Sequence, residues 1–455
     1  MTRLLVECTH VFKHPTVNSG IQRVVRNVIK QLPASAEGIE CLPVVLINGQ
    51  LYRVLQLAPL DTPLWNTLQT FGERLERLAH RFWQWHQRRD AQCTAKLARR
   101  GLYVGYRLTQ FAVFGVPIRL IRLINRRQLL KRCSPLQHQP GDQLVLLDSS
   151  WHSDFFAHVE QLKRDGVGII AVVYDLIPLT HPQFYDTRLV EVFSEWFDWI
   201  TRTADGYMAI SATVRDQVRE ELQRRIGAEQ ADKRWFDFFH LGSELDLHHS
   251  AATVEPRLKS LFAAPETVFL MVSTIEPRKN HAYLLDAFEC AWAAGSTARL
   301  CIAGRIGWKC EALLERIHSH PELNRRLFMF NDLSDTSLEY AYAHASALVF
   351  PSFVEGFGLP LVEAMQRGLP AMASDIAVFR EIGGDFMAYF NLQDPHNLAA
   401  LIQVYQRTGQ FPAARDVADW CWISWREASG QLATRSLHQV QQAPRVQARP
   451  HAHCS

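Results

Sequence analysis

Short apolar runs closed by Gly, Pro, Asp or Ser alternate along this chain with longer segments whose apolar positions recur every three or four residues. Such alternation predicts buried strands followed by amphipathic helices, the βαβ rhythm of α/β domains built on parallel sheets. The run Leu4–Phe12 reads as a first strand and Gly20–Leu32 as a helix, with further strands at Cys41–Asn48 and Leu51–Leu57. After a break, Gln143–Leu147 and Val167–Tyr174 read as strands, Phe184–Thr203 and Ala212–Arg225 as helices, and Gly206–Ser211 and Phe236–Leu241 as strands. The stretch from His248 to about Ala264 has no period and reads as a linker. Then the rhythm restarts with strands at Val268–Thr274, Arg299–Ala303, Leu327–Phe330, Ala347–Phe350 and Ala371–Ser374. Helices are expected between them, including Leu333–His344, Leu361–Arg367 and Ala377–Ile382, with Pro395–Arg407 following. Two α/β domains follow, at 1–247 and 265–412, then a helix at 413–435 and a disordered tail at 441–455, rich in Pro, Gln and Arg.

The break is an insertion at about 61–139. Between Phe71 and Arg132 fifteen Lys and Arg stand against three acids, so the rest of the chain is net acidic although the whole carries only +3. Aromatic and aliphatic residues are interleaved with these charges, among them Trp83, Trp85, Tyr103, Phe111, Phe114 and Leu120. Such a basic amphipathic stretch predicts either contact with an anionic membrane surface through residues 71–132 or a helical hairpin with a solvated basic face. Nucleic acid is not predicted as a partner, because no binding module accompanies the charge. Nine cysteines without CxxC pairs read as reduced thiols. With no signal-peptide pattern and no run of apolar residues long enough to span a bilayer, the expected location is the cytoplasm, peripheral on the inner membrane face.

Candidate chemistry lies where predicted strands end. After Ala347–Phe350 come Glu355, Gly356, Phe357, Gly358, Leu359 and Pro360, then a helix carrying Glu363. The two glycines let backbone approach a ligand, the helix start suits phosphate, and both carboxylates can face one ligand. After the strand at Val268 come Glu276, Pro277, Arg278, Lys279 and Asn280, a cation pair fit to neutralise a diphosphate. Near the N-terminus Ser19 and Gly20 precede a helix with Arg23, and the strand at Val167 ends in Asp175, with His181 close by. No DxD occurs and His and Cys lack ligand spacing, so no metal is predicted.

Together, Glu355-x7-Glu363 around GFGLP, the EPRKN and GRIGW stretches, the SGIxRV loop at Ser19 and the DLIP run at Asp175 resemble retaining glycosyltransferases of family four. The resemblance covers about residues 1–60 and 140–430 and leaves the basic insertion unexplained. It implies the GT-B fold: two facing Rossmann-like domains, an acceptor-side half and a nucleotide-sugar half, with the 413–435 helix crossing back. Arg278, Lys279, Glu363, Gly356, Phe357, Gly358, Leu359 and Gly20 would then bind the donor. Glu355 and Asp175 would shape the reacting sugar, and Arg23 and His181 would stand on the acceptor side. One departure is Tyr174, where the family has His.

The implied reaction moves a hexose, mannose favoured, from a nucleotide-diphosphate donor such as GDP-mannose to a saccharide or lipid-linked saccharide in surface polysaccharide synthesis. The donor is substrate, and no separate cofactor is implied. Two other readings stay open: a non-catalytic scaffold that binds nucleotide sugar, and a nucleotide-sugar epimerase.

Overall fold

A computed structural model describes residues 3–14, 19–36, 38–47, 49–57, 96–152, 155–244 and 253–442, with scattered residues between 71 and 89. The tail beyond 442 and the first part of the insertion lie outside the described residues. By compactness the chain divides into one unit of residues 1–8, 18–43 and 138–455 and another of residues 9–17 and 44–137.

The larger unit holds two parallel sheets. In the N-terminal one the strands Arg3–Glu7, Gln143–Leu146, Gly168–Val173, Gly206–Ala209 and Trp235–Phe238 pair in that order, all parallel. The residues of the first four are almost wholly buried, as the unbroken apolar runs require of strands covered on both faces, while the edge strand Trp235–Phe238 is half-buried. The C-terminal sheet has six parallel strands, ordered Leu327–Phe330, Arg299–Ala303, Val268–Val272, Ala347–Phe350, Ala371–Ser374 and Ala388–Phe390. Counted along the chain that order is 3-2-1-4-5-6, the doubly wound arrangement whose strand direction of winding reverses between Val268–Val272 and Ala347–Phe350. A ligand crevice is expected at the carboxyl ends of those two strands.

Three boundaries differ from the sequence reading. The first strand ends at Glu7, and a short helix, Thr9–Lys13, begins where Thr9 and His10 interrupt the apolar run. The expected linker contains a helix, Pro256–Phe262, opened by Pro at its first position and anchored by buried Leu258 and Leu261. The last helix is Trp425–Gln442 and not 413–435, because Ser424 and Glu427 form a capping box. Ser424 N donates to Glu427 Oε2 at 2.7 Å and Glu427 N to Ser424 Oγ at 3.2 Å. This helix does pack on Gly20–Gln31 of the N-terminal half, where Ser429 Oγ donates to Val28 O at 3.2 Å.

The smaller unit contains a three-stranded antiparallel ribbon, in which Gln50–Val54 pairs with residues 44–47 on one side and Cys133–Pro135 on the other. It also carries one continuous helical rod, Lys96–Thr109, a π turn at Gln110–Gly115, and Val116–Leu130.

Candidate functional site

Both loops at the winding reversal of the C-terminal sheet bring their charges to one point. Pro277 starts a single 3-10 turn, Pro277–Lys279, which Asn280 ends in the left-handed region at φ 58°. That turn aims Arg278 and Lys279 at the loop after Ala347–Phe350. Arg278 donates to Glu355 Oε2 at 2.6 Å, Ser352 Oγ to Glu355 Oε1 at 2.8 Å, and Lys279 Nζ to Glu355 Oε1. Lys279 also stands 5.0 Å from the centre of the Phe350 ring. All of these groups are largely buried, so each charge depends on the others.

Burial alone would push the Glu355 carboxyl up, but Arg278 and Lys279 outweigh it and hold it down at about 2. Glu276 and Asp175 go the other way. In both, burial raises the carboxyl above its ordinary value and Arg278 offsets only part of that. His281 is pushed down to about 3 by burial and by Lys279, so its ring is neutral at pH 7. Asn280 Nδ2 and His281 Nδ1 are buried without a hydrogen-bond partner, and Glu276 Oε1 meets Arg278 Nε at 2.7 Å as an ion contact lacking hydrogen-bond alignment. Buried polar groups left without partners around one turn are exceptions that call for an explanation.

Glu363, on the helix Leu359–Met365, belongs to a second network. Its carboxylate takes Tyr342 OH at 2.9 Å and the guanidinium of Arg23, which arrives from the N-terminal helix Gly20–Gln31. Arg23 and Glu363, assigned by sequence to opposite sides of the reaction, thus meet directly. Gly20 has open space where a Cβ would stand, so packing does not demand glycine there. Gly356 is different: a Cβ would lie 2.2 Å from Tyr174 O and 3.0 Å from Asp175 Cβ. Glycine therefore lets the Glu355 loop touch the end of the N-terminal strand Gly168–Val173. Gly358 takes φ 115°, open only to glycine, and caps the Leu359 helix.

Asp175 accepts from Ile177 N at 3.0 Å and feels the charges of Arg278, Glu355 and Lys279, which places it with the cluster. Tyr174, in the position of the expected His, donates to Leu147 O at 2.7 Å and is buried. His181 bonds Thr180 Oγ1 at 2.9 Å and stacks on Phe184, which stacks in turn on Phe353. Phe357 is buried, with His240 and Trp422 about its ring.

Sequence reasoning missed Ser352, Tyr342 and Glu381. Ser352 stands between the strand Ala347–Phe350 and Glu355, a position the sequence makes readable, whereas the other two carry no such signal. Glu381, on the helix Ala377–Gly383, accepts from Ala212 N at 2.7 Å and Thr213 N at 2.9 Å and pairs with His240 Nε2 at 2.8 Å, and so caps the helix Ala212–Ile226. Burial raises this carboxyl, yet His240 and the Thr213 and Ala212 donors win and bring it to about 2. Glu381→Gln leaves one of the two backbone donors facing an amide N–H. The expected loss is about 1–3 kcal/mol, read as a lower denaturation midpoint. An unchanged midpoint would show that the cap contributes nothing.

Residues 255–404 match the family described as Glycosyl transferases group 1. The chain is 31% identical over 300 residues to the serotype-specific mannosyltransferase WbdA of Escherichia coli, which covers 65% of this chain and 37% of that protein. It is 26% identical over 320 residues to the O-antigen chain mannosyltransferase B of Escherichia coli, covering 69% of this chain and 81% of that one. It thus spans little more than a third of the first relative's length. Among solved structures, Anabaena HepE in complex with UDP and glucose superposes with a TM-score of 0.50 at 13% identity, covering 97% of this chain and 98% of that one. Sucrose-phosphate synthase from Thermosynechococcus elongatus gives 0.50 at 16% identity, with 97% of each chain covered. At such identities the likeness shows the fold, the two-sheet GT-B arrangement.

Proposed function

Since residues 255–404 are a group 1 glycosyl transferase domain on a GT-B fold, we propose that the chain is a retaining hexosyltransferase that uses a nucleotide-diphosphate sugar. The observation that carries this reading is the convergence of Arg278 and Lys279 on Glu355 at the winding reversal of the C-terminal sheet. A diphosphate entering there meets two cations whose charge is already oriented, in a site where burial strengthens each interaction. When the bond from the anomeric carbon to the phosphate oxygen breaks, the charge left on the diphosphate is neutralised by Arg278 and Lys279. Glu355 and Asp175 then shape the sugar, and the acceptor hydroxyl oxygen attacks from the face the diphosphate leaves, its proton passing to the departing phosphate oxygen. Glu363, set by Tyr342 and Arg23, is the proposed contact for the ribose.

Mannose from GDP-mannose is the favoured donor, because the relatives above are named as mannosyltransferases. The acceptor is a saccharide or lipid-linked saccharide of surface polysaccharide synthesis, handled in the cytoplasm at the inner membrane face. Among the described residues no helix is long and apolar enough to cross a membrane.

A thermal-shift panel of nucleoside diphosphates and nucleotide sugars tests the donor site. A ligand that binds only the folded chain raises the midpoint by mass action. GDP and GDP-mannose are expected to raise it, and Arg278→Ala to abolish the shift. Stabilisation by UDP compounds alone would replace the donor, and silence across the panel would overturn the donor site itself. Slow donor hydrolysis without acceptor separates a transferase from a scaffold that merely binds.

A further inference from the structure

We propose that the helical rod running from Lys96 to Leu130 lies flat in the headgroup plane of an anionic phospholipid bilayer, with one apolar edge inserted. Val104, Leu108 and Phe111 are 52%, 64% and 58% exposed, and Val116, Leu120 and Leu123 are 38%, 53% and 47% exposed. Each trio repeats the same steps of four and then three, the first ending at Phe111 as the π turn begins and the second following it. In an unbroken α-helix, at about 100° per residue, Val116 would sit roughly 120° around the axis from Val104. The π turn absorbs one extra residue, which brings the second trio to within about 20° of the first.

The opposite side of the rod confirms this register. Tyr106, Phe114 and Ile121 face inward: Phe82 stacks on Tyr106 at 5.6 Å and meets Phe114 at 5.7 Å, while Gly72 approaches Ile121. Gly115 is what the wide turn needs, because a Cβ there would stand 3.1 Å from Gln110 O. The turn thus joins two half-stripes into one edge from Val104 to Leu123, about 30 Å long at about 1.5 Å per residue.

The charge identifies the occupant. From Lys96 to Arg132 there are ten Lys and Arg and no Asp or Glu. The exposed Arg100, Arg107 and Arg119 run down one flank of the apolar edge. A second copy of the chain would bring the same positive charge against itself, whereas anionic headgroups complement it. Taken singly, neither helix of the rod is long and apolar enough to cross a membrane, and Arg107, Arg119 and Arg122 interrupt the sequence between them, so the rod lies on the surface.

Flotation of the full chain with vesicles tests this, using phosphatidylcholine alone and phosphatidylcholine mixed with phosphatidylglycerol. Binding to the mixed vesicles is expected to be at least about tenfold tighter and to weaken with salt. The triple variant Val104→Asp, Leu108→Asp, Leu120→Asp is expected to lose tenfold or more, with its thermal midpoint kept. Should that variant fail to fold, Arg100→Gln with Arg107→Gln keeps every apolar contact and is expected to weaken binding severalfold. No binding, equal binding to neutral vesicles, undiminished binding by the variants, or a dimer that covers the edge would each overturn the proposal. No nucleotide enters the assay, so its result stands apart from the donor-site reading.

Discussion

Replacing Glu355 by glutamine is expected to lower sugar transfer by about 10²–10³-fold while nucleoside diphosphate affinity stays within a few-fold of wild type. The substitution is nearly isosteric, but the amide nitrogen must face one of Arg278, Lys279 or Ser352, all three of which donate to the carboxylate. The two cations remain and become less neutralised, so a diphosphate is still held. A loss confined to kcat, with KM and the thermal shift by nucleotide preserved, is the signature of a group acting on the reacting sugar. Wild-type kcat in the variant would remove Glu355 from the reaction. A loss of nucleotide binding instead would make it a structural counter-ion.

The same carboxylate sets an acid limb in stability. Its folded value of about 2 lies below its ordinary 4.5, so its contribution is full above about pH 4.5 and is lost as pH falls toward 2. Asp175 and Glu276, raised by burial, have the opposite sign and gain stability as pH falls through their raised values. In Glu355→Gln the loss between pH 4.5 and 2 is therefore expected to shrink, which a pH series of denaturation midpoints reads directly.

Gly356→Ala is the second large effect expected. A Cβ placed 2.2 Å from the Tyr174 carbonyl oxygen meets backbone and not a pliable side chain, so the loop or the strand end must move. Overpacking of this kind costs about 1–3 kcal/mol. The functional cost is larger, because Glu355 is the preceding residue and Asp175 lies on the other side of the same contact. A displacement of about an ångström there predicts a fall of about 10²-fold in kcat/KM. The circular dichroism spectrum should be unchanged and the thermal midpoint modestly lower. Full activity would show that the Glu355 loop and the Asp175 loop need not touch.

Much of this architecture was legible because it is local. The strand Arg299–Ala303 and the strand Ala347–Phe350 fall where the apolar runs stand, and the EPRKN turn declares its cation pair within five residues. What stayed hidden joins residues far apart. Arg23 and Glu363 are 340 positions apart, and Glu381 reaches Ala212 across 169. No periodicity carries such pairings, since only the folded sheets bring them together. The displaced start of the last helix is another matter: Ser424 and Glu427 show the capping pattern in the sequence, and the tryptophan-rich run before them masked it. The π turn was invisible for a physical reason too. An apolar stripe that changes phase midway looks, at one fixed period, like two unrelated stretches.

The return of the last helix to the first has a consequence for how the chain is made. Val28 waits for Ser429, which leaves the ribosome 401 residues later. At about 5–20 residues per second, the helix Gly20–Gln31 spends roughly 20–80 s without its final cover. During that interval the nascent N-terminal half is the part most exposed to chaperones and to premature association. Translation speed through the C-terminal half therefore bears on yield as directly as any contact in the finished fold.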